Sequence, residues 1–170
     1  MKLRNLNIKD APLMLEWMHD ENVLVGLQRN KFITKKINDC INFIEFSKND
    51  KNNIHLAIVD DSDIYMGTVS LKNINTERLD AEFAITVRSC AMGKGFSKYG
   101  MQEIIKYAFE NLGLKNVYWN VLADNQRAIN FYNRLGYKQN NNIDNEILTE
   151  HAILLNSNKK FLWYSVNVNN

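Results

Sequence analysis

Two stretches of this sequence combine residue types and spacing that bear on chemistry. The first is Met92-Gly93-Lys94-Gly95-Phe96-Ser97-Lys98. Two glycines at the mouth of a helix let a bulky anion approach the backbone. The helix N-terminus adds unpaired N–H groups and a partial positive charge. Lys94, Lys98 and Arg88 place cations nearby. The combination points to a phosphate or pyrophosphate, although a strand-to-helix turn can need glycine for its conformation alone. A Walker A loop does not fit, because Lys94 lacks the Gly-x-x-x-x-Gly-Lys-Ser/Thr frame. A dinucleotide fingerprint fits poorly too, because Lys98 stands where its third glycine belongs and an antiparallel meander precedes the turn. The second stretch, Asn125-Gln126-Arg127-Ala128-Ile129-Asn130-Phe131-Tyr132-Asn133-Arg134-Leu135-Gly136-Tyr137, reads Asn-x-x-Ala-x-x-x-Tyr-x-x-x-Gly-aromatic.

The elements that must position these stretches follow from periodicity. A short strand is expected at Lys2–Leu6. Asp10 stands at an N-cap position, with Pro12 in the first turn and Met14, Trp17 and Met18 at helical spacing. Thr34 caps a second helix carrying Ile37, Cys40, Ile41 and Ile44 on one stripe. Strands at Ile54–Val59, Ile64–Ile74 and Leu79–Val87, joined by polar turns, make an antiparallel meander. Met101, Ile104, Ile105, Ala108, Phe109 and Leu112 then follow the helical period, closed by Gly113. Val117, Trp119 and Val121 mark a further strand, and a helix from Gln126 to Leu135 is stopped by Gly136. The tail reads as a hairpin, Glu146–Leu155 and Lys160–Val168 around a turn at Asn156–Lys159. The expected order is β-α-α-β-β-β-α-β-α-β-β, an α/β (α+β) fold whose mixed, mostly antiparallel sheet is flanked by helices.

Composition narrows the function classes. At about 150 residues per domain, 170 residues argue for one domain spanning 1–170. The chain is 45% hydrophobic and 24% charged, an ordinary globular balance. Twenty-one Lys plus Arg against nineteen Asp plus Glu leave +2, and no run of five like charges occurs, so nucleic acid is not an expected partner. Neither a membrane span nor an apolar signal core is present, and a cytoplasmic protein without membrane partners is expected. Cys40 and Cys90 are too few for a disulfide framework or zinc ribbon. His19, His55 and His151 read as structural or surface residues, none of them paired at metal-ligand spacing, so no metal is expected.

The Gly93/Gly95 turn, the Asn125–Tyr137 pattern and the element order together resemble the GNAT acyltransferase superfamily. The resemblance runs from Leu3 to about Tyr137 and continues more loosely through the tail. It implies acetyl-CoA as co-substrate, its pyrophosphate cradled by the backbone amides of Gly93, Lys94, Gly95, Phe96, Ser97 and Lys98. It further implies a pantetheine arm paired with Ile85-Thr86-Val87, beside Arg88, and contacted by Asn125. Tyr132 matches the tyrosine whose O–H protonates the leaving thiolate. Glu82 matches a strand glutamate that serves related enzymes as base; the competing reading is a solvated strand-face carboxylate. Cys90 fits a nucleophile poorly, because the family transfers the acyl group directly. One departure stands out. The family pattern Arg/Gln-x-x-Gly-x-Gly/Ala is Met92-x-x-Gly95-x-Ser97 here, which removes a long polar side chain at Met92.

The implied activity is N-acetyl transfer to a primary amine by direct attack in a ternary complex. The stretches around Leu15–Val23, Phe32–Ile44 and Tyr65–Ile74 resemble the bacterial branch acetylating nucleotide-linked amino sugars of surface glycans (the pseudaminic-acid type). They also resemble ribosomal-protein alanine acetyltransferases and aminoglycoside acetyltransferases. Glu16, Asp20 and Glu21 are balanced by Arg29, Lys31, Lys35 and Lys36. That balance favours an amino sugar carrying a diphosphate over a protein amine, aminoglycoside or polyamine. An acyl-CoA sensor without turnover and a nucleotide-binding domain are the readings from other classes. The tail strand suits either a homodimer edge or a buried last strand in a monomer.

Overall fold

Alternation along Gly67–Leu71 shows in the burial of Gly67, Val69 and Leu71, whereas a register shift opposite Ile58/Val59 puts the buried Tyr65 on the other face. The computed structural model describes residues 1–27, 34–151 and 159–168. Among these, one sheet runs in chain order: β1 (Lys2–Asn5), β2 (Ile54–Val59), β3 (Tyr65–Asn75), β4 (Asp80–Val87), β5 (Asn116–Leu122) and β6 (Phe161–Asn167). Every neighbouring pair is antiparallel except β4–β5. That parallel pair is joined by α4 (Phe96–Glu110), the crossover helix that parallel strands require.

Helices cover both faces. α4 and α5 (Gln126–Arg134) bury Met101, Ile104, Ile129 and Tyr132 against Val69, Leu71, Phe83, Val117 and Trp119. On the other face α1 (Ala11–Met18), α2 (Glu21–Leu27) and α3 (Ile37–Ser47) bury Met14, Trp17, Val23, Cys40 and Ile44 with Ala57, Val59 and Tyr65. No helix among the described residues is long and apolar enough to cross a membrane.

The structure corrects several local expectations. Asp10 does stand at the N-cap of α1, but its side chain makes no capping bond; its carboxylate instead takes Arg4 in two contacts (2.7 and 2.8 Å) and the Asn7 N–H. α3 starts after Lys36 rather than Thr34, with Asp39 accepting from the Lys36 amide at 2.7 Å. α2 is additional to the expected order. The strand expected at Glu146–Leu155 is instead a short helix, α6 (Asn145–Glu150), capped by Asp144 accepting from the Glu146 N–H. Residues 152–155 and most of the expected turn at Asn156–Lys159 lie outside the described residues. α6 buries Ile147 and its C-cap His151, and Arg78, in the β3–β4 turn, pairs with its Glu146 (3.3 Å) and Glu150 (2.6 Å).

The β4–β5 pairing is short. It comprises only Asp80↔Asn116, Ala81↔Val117 and Glu82↔Tyr118. Beyond Glu82, β4 remains paired with β3 alone, and beyond Tyr118, β5 with β6 alone. A wedge therefore opens between them, with one backbone edge of Phe83–Val87 unpaired by any described strand.

Gly67 fixes the position of that edge. A Cβ there would lie 2.5 Å from the Thr86 carbonyl and 2.9 Å from the Val87 Cα, both backbone atoms that cannot step aside. Gly67→Ala is expected to cost about 1–3 kcal/mol in urea unfolding by overpacking. Gly100→Ala should cost less, because its nearest neighbour is the flexible tip of Ile58.

Candidate active site

A 3-10 turn at Ser89–Ala91 carries the chain out of β4 to Gly93 and Gly95, both in the left-handed region (φ 74° and 88°). Such angles are costly for any residue with a Cβ, so glycine is required at both. Gly95 is also the N-cap of α4 and has no side chain with which to satisfy the helix start. The amides of Gly93, Gly95, Phe96, Ser97 and Lys98 consequently have no hydrogen-bond acceptor among the described residues, whereas Lys94 N–H donates to Ala91. Five donors converge at the positive end of a fifteen-residue helix. Lys94 and Lys98 extend from the same turn without an ionic partner among the described residues. A pyrophosphate fits this cradle, and the unpaired edge of Ile85-Thr86-Val87 fits an extended amide-bearing arm.

Arg88 is not the mobile cation expected beside the loop. Its guanidinium is forked onto Glu16 of α1 (3.0 and 2.9 Å) and donates to the Tyr65 carbonyl (3.0 Å). Asp20 accepts a short hydrogen bond from the Ser89 hydroxyl, which holds its carboxyl below the usual range. Both acidic residues near the C-terminal end of α1 therefore brace the turn instead of facing solvent freely. Arg127, which the Asn125–Tyr137 motif does not single out, donates to the Met92 sulfur (3.0 Å) and the Asn22 carbonyl (3.1 Å). A guanidinium on α5 thus stands beside the position where the long polar side chain is missing.

On the α5 side of the wedge, Tyr132 is 7% exposed. Its ring lies 5.4 Å from Trp119 and 5.2 Å from Tyr164. Trp119 is the first β5 residue past the last parallel pair, so Tyr132 stands at the wedge apex. Burial pushes its phenol well above the usual range, which keeps it protonated at neutral pH. The Trp119 Nε1 and Tyr164 hydroxyl nearby are buried without a partner among the described residues. Asn125 caps α5 by accepting from the Ala128 N–H at 3.1 Å, so the motif's first residue sets the start of Tyr132's helix.

Glu82 stands at the same apex but on the opposite sheet face. It is not a solvated carboxylate, its side chain being 12% exposed. Oε1 accepts from Lys72 Nζ at 2.7 Å; Oε2 accepts from Asn73 Nδ2 at 3.2 Å and lies 3.3 Å from His151 Nε2. His151, whose spacing suggests only a structural or surface residue, is buried at the end of α6, where its Nδ1 is 2.8 Å from the Ile147 carbonyl. Tyr118 and Trp163 box the ring. Burial alone would raise Glu82, but His151 and Lys72 outweigh it and hold the carboxyl below its usual 4.5. The Glu82 contact likewise raises His151 above 6.5 against the burial that lowers it. Tyr132 and Glu82 thus flank the apex without sharing a face. Cys90 is exposed in the 3-10 turn.

The profile of the acetyltransferase (GNAT) domain matches residues 1–138. The chain is 29% identical over 138 residues to the acetyltransferase PseH of Campylobacter jejuni, covering 78% of this chain and 81% of that protein. It is 26% identical over 141 residues to the N-acetyltransferase p20 of Bacillus licheniformis, covering 82% and 79%. Among solved structures, spermidine N-acetyltransferase from Vibrio cholerae in complex with CoA and spermine superposes with a TM-score of 0.79. That match has 18% identity and covers 99% of this chain and 95% of that one.

The Glu82–His151 pair makes stability depend on pH in a defined direction. Glu82's contribution is present above 4.5 and lost as pH falls through its lower folded value. His151's is present below 6.5 and lost as pH rises through its higher folded value. The melting-temperature difference between the parent and Glu82→Gln should therefore be larger at about pH 5.5 than at about pH 8.5, measured by calorimetry.

Proposed function

From the premise that the chain belongs to the acetyltransferase (GNAT) domain family, an acetyl-CoA-dependent N-acetyltransferase, we propose that its acceptor is a nucleotide-linked amino sugar. The observation that carries this reading is the state of the carboxylates near the wedge. Glu16 is spent on Arg88, Asp20 on Ser89 and the start of α2, and Glu82 on Lys72 and His151, which leaves Glu21, exposed at the start of α2, as the carboxylate of this group without an ion pair among the described residues. A polycation needs carboxylates that are not already neutralised. An amine that brings its own diphosphate does not, and Arg127, Arg29 and Lys31 favour it electrostatically; Arg29 and Lys31 lie outside the described residues. The fold shared with a spermidine acetyltransferase makes spermidine the comparison substrate.

In this reading acetyl-CoA supplies a thioester whose acyl carbon is the electrophile. Gly93, Gly95, Phe96, Ser97 and Lys98 hold its pyrophosphate through backbone donors, while Lys94 and Lys98 add charge. Ile85, Thr86 and Val87 hold the extended arm along the open edge of β4, and Arg88 and Asn125 act by fixing the turn and the start of α5. Tyr132 holds a proton on Oη for the leaving sulfur. Glu82 takes a proton from the acceptor nitrogen on the other face, so donor and acceptor meet through the apex.

Four experiments test this. Thermal unfolding with acetyl-CoA, CoA, ATP and NAD in parallel should show a rise with the two CoA species alone, of about 3 °C or more at 100 times Kd. Gly95→Val puts a β-branched residue at φ 88°, so although only the Met1 Cε lies within 4 Å of the new Cβ it should strain and reshape the turn at some cost in apo melting temperature, and lose that CoA shift. Tyr132→Phe should lower kcat by about 10²-fold with CoA affinity unchanged. Acetylation of UDP-glucosamine, spermidine, kanamycin and an alanine-initiated peptide, followed by thiol release, identifies the acceptor. Turnover of spermidine in preference to the nucleotide sugar would replace this reading by a polyamine one.

A further inference from the structure

A carbonyl oxygen only accepts, so His151 Nδ1, 2.8 Å from the Ile147 carbonyl, carries a hydrogen. The other nitrogen faces the Glu82 carboxylate at 3.3 Å. A bare Nε2 lone pair against a carboxylate would be repulsive, so a proton belongs between them. We propose that Glu82 and His151 form one proton-accepting unit, in which Glu82 meets the acceptor amine and His151 is the positioning residue that shares the proton behind it. This rests on the reading of Glu82 as the base.

The sharing has a consequence for the working state. With the shared proton in place, Glu82 accepts hydrogen bonds or charge from Lys72, Asn73 and His151 together and is a weak base. Once that proton has left, the unit is a carboxylate backed by a neutral imidazole and can take one proton again. In the step itself the acceptor nitrogen's lone pair forms the C–N bond, the C–S bond breaks and the thiolate takes the proton held by Tyr132. One N–H bond breaks and its proton forms one O–H or N–H bond in the unit, the electron pair staying on nitrogen. The groups that face His151 allow this. Glu82 from β4 favours the second imidazole proton, Lys72 from β3 opposes the same proton, and Tyr118 from β5 and Trp163 from β6 enclose the ring. On α6, Glu146 and Glu150 are engaged by Arg78, which also holds Asp80, so neither reaches the imidazole as a competing partner. The tie also spans the fold, joining β4 to the end of α6 across 69 residues.

The experiment compares parent, His151→Gln and Glu82→Gln by the pH profile of kcat/KM, using whichever of UDP-glucosamine, spermidine, kanamycin or the peptide is acetylated. In the parent the rate should rise with pH through a midpoint above 6.5, the ordinary histidine value. His151→Gln keeps an amide donor toward Glu82 but cannot titrate. Its midpoint should fall by about one unit or more, and its plateau by about 10-fold to 100-fold. CoA binding should be unchanged. An unmoved midpoint, as expected if the acceptor's own ammonium sets it, overturns the shared unit while leaving Glu82 as base, provided Glu82→Gln is inactive. An active Glu82→Gln, or no turnover of any amine, overturns the base reading and the unit with it. If His151→Gln does not fold, the His151 imidazole titration by NMR decides. Its midpoint should drop in Glu82→Gln by about one unit or more, and an equal midpoint in both proteins overturns the proposal.

Discussion

The site depends on a ladder that stops early. Three parallel pairs between β4 and β5 hold the strands together at one end, where the Leu79 carbonyl also receives the Lys115 and Asn116 amides. Past Glu82 and Tyr118 each strand relies on its outer antiparallel partner, so the sheet tolerates an unpaired edge in its middle without unravelling. A backbone edge inside a folded domain is a place where an extended, amide-rich chain can add as if it were a strand. The same opening brings the two faces of the sheet into communication. Tyr132 reaches the apex from the α5 side and Glu82 from the α6 side, which a continuous sheet would have kept apart.

What was legible in the sequence is what a residue type can demand from its own neighbourhood. Gly93 and Gly95 announce a left-handed backbone, and the period of Met101–Leu112 announces the helix after them. Apart from α2, the element order up to Gly136 comes from alternation and turn chemistry. Less legible was whatever depends on a partner far along the chain. Arg88 looks like a free cation until Glu16, 72 residues earlier, is folded against it. His151 looks incidental until α6 brings it to Glu82. α6 itself is six residues long, too short to display a helical period, and its contacts, buried Ile147 and the Arg78 pairs, come from outside it. The Met92 departure was visible; Arg127's approach to the same point was not, because nothing in the sequence places the first turn of α5 over the glycine loop.

The two sides of the apex are built from different materials. On the α5 side the donors are backbone amides, the walls are aromatic, and Lys94 and Lys98 add charge. On the α6 side a carboxylate is buried, and burying one is costly unless it is paired. Lys72, Asn73 and His151 meet that demand, and with the shared proton in place they leave the cluster one positive charge in excess. That excess disfavours a second ammonium near Lys72 and disappears when the shared proton leaves. Under the proposed reading, the charges that hold Glu82 in the folded protein would therefore also discriminate among amines, through residues on β3, β4 and the end of α6.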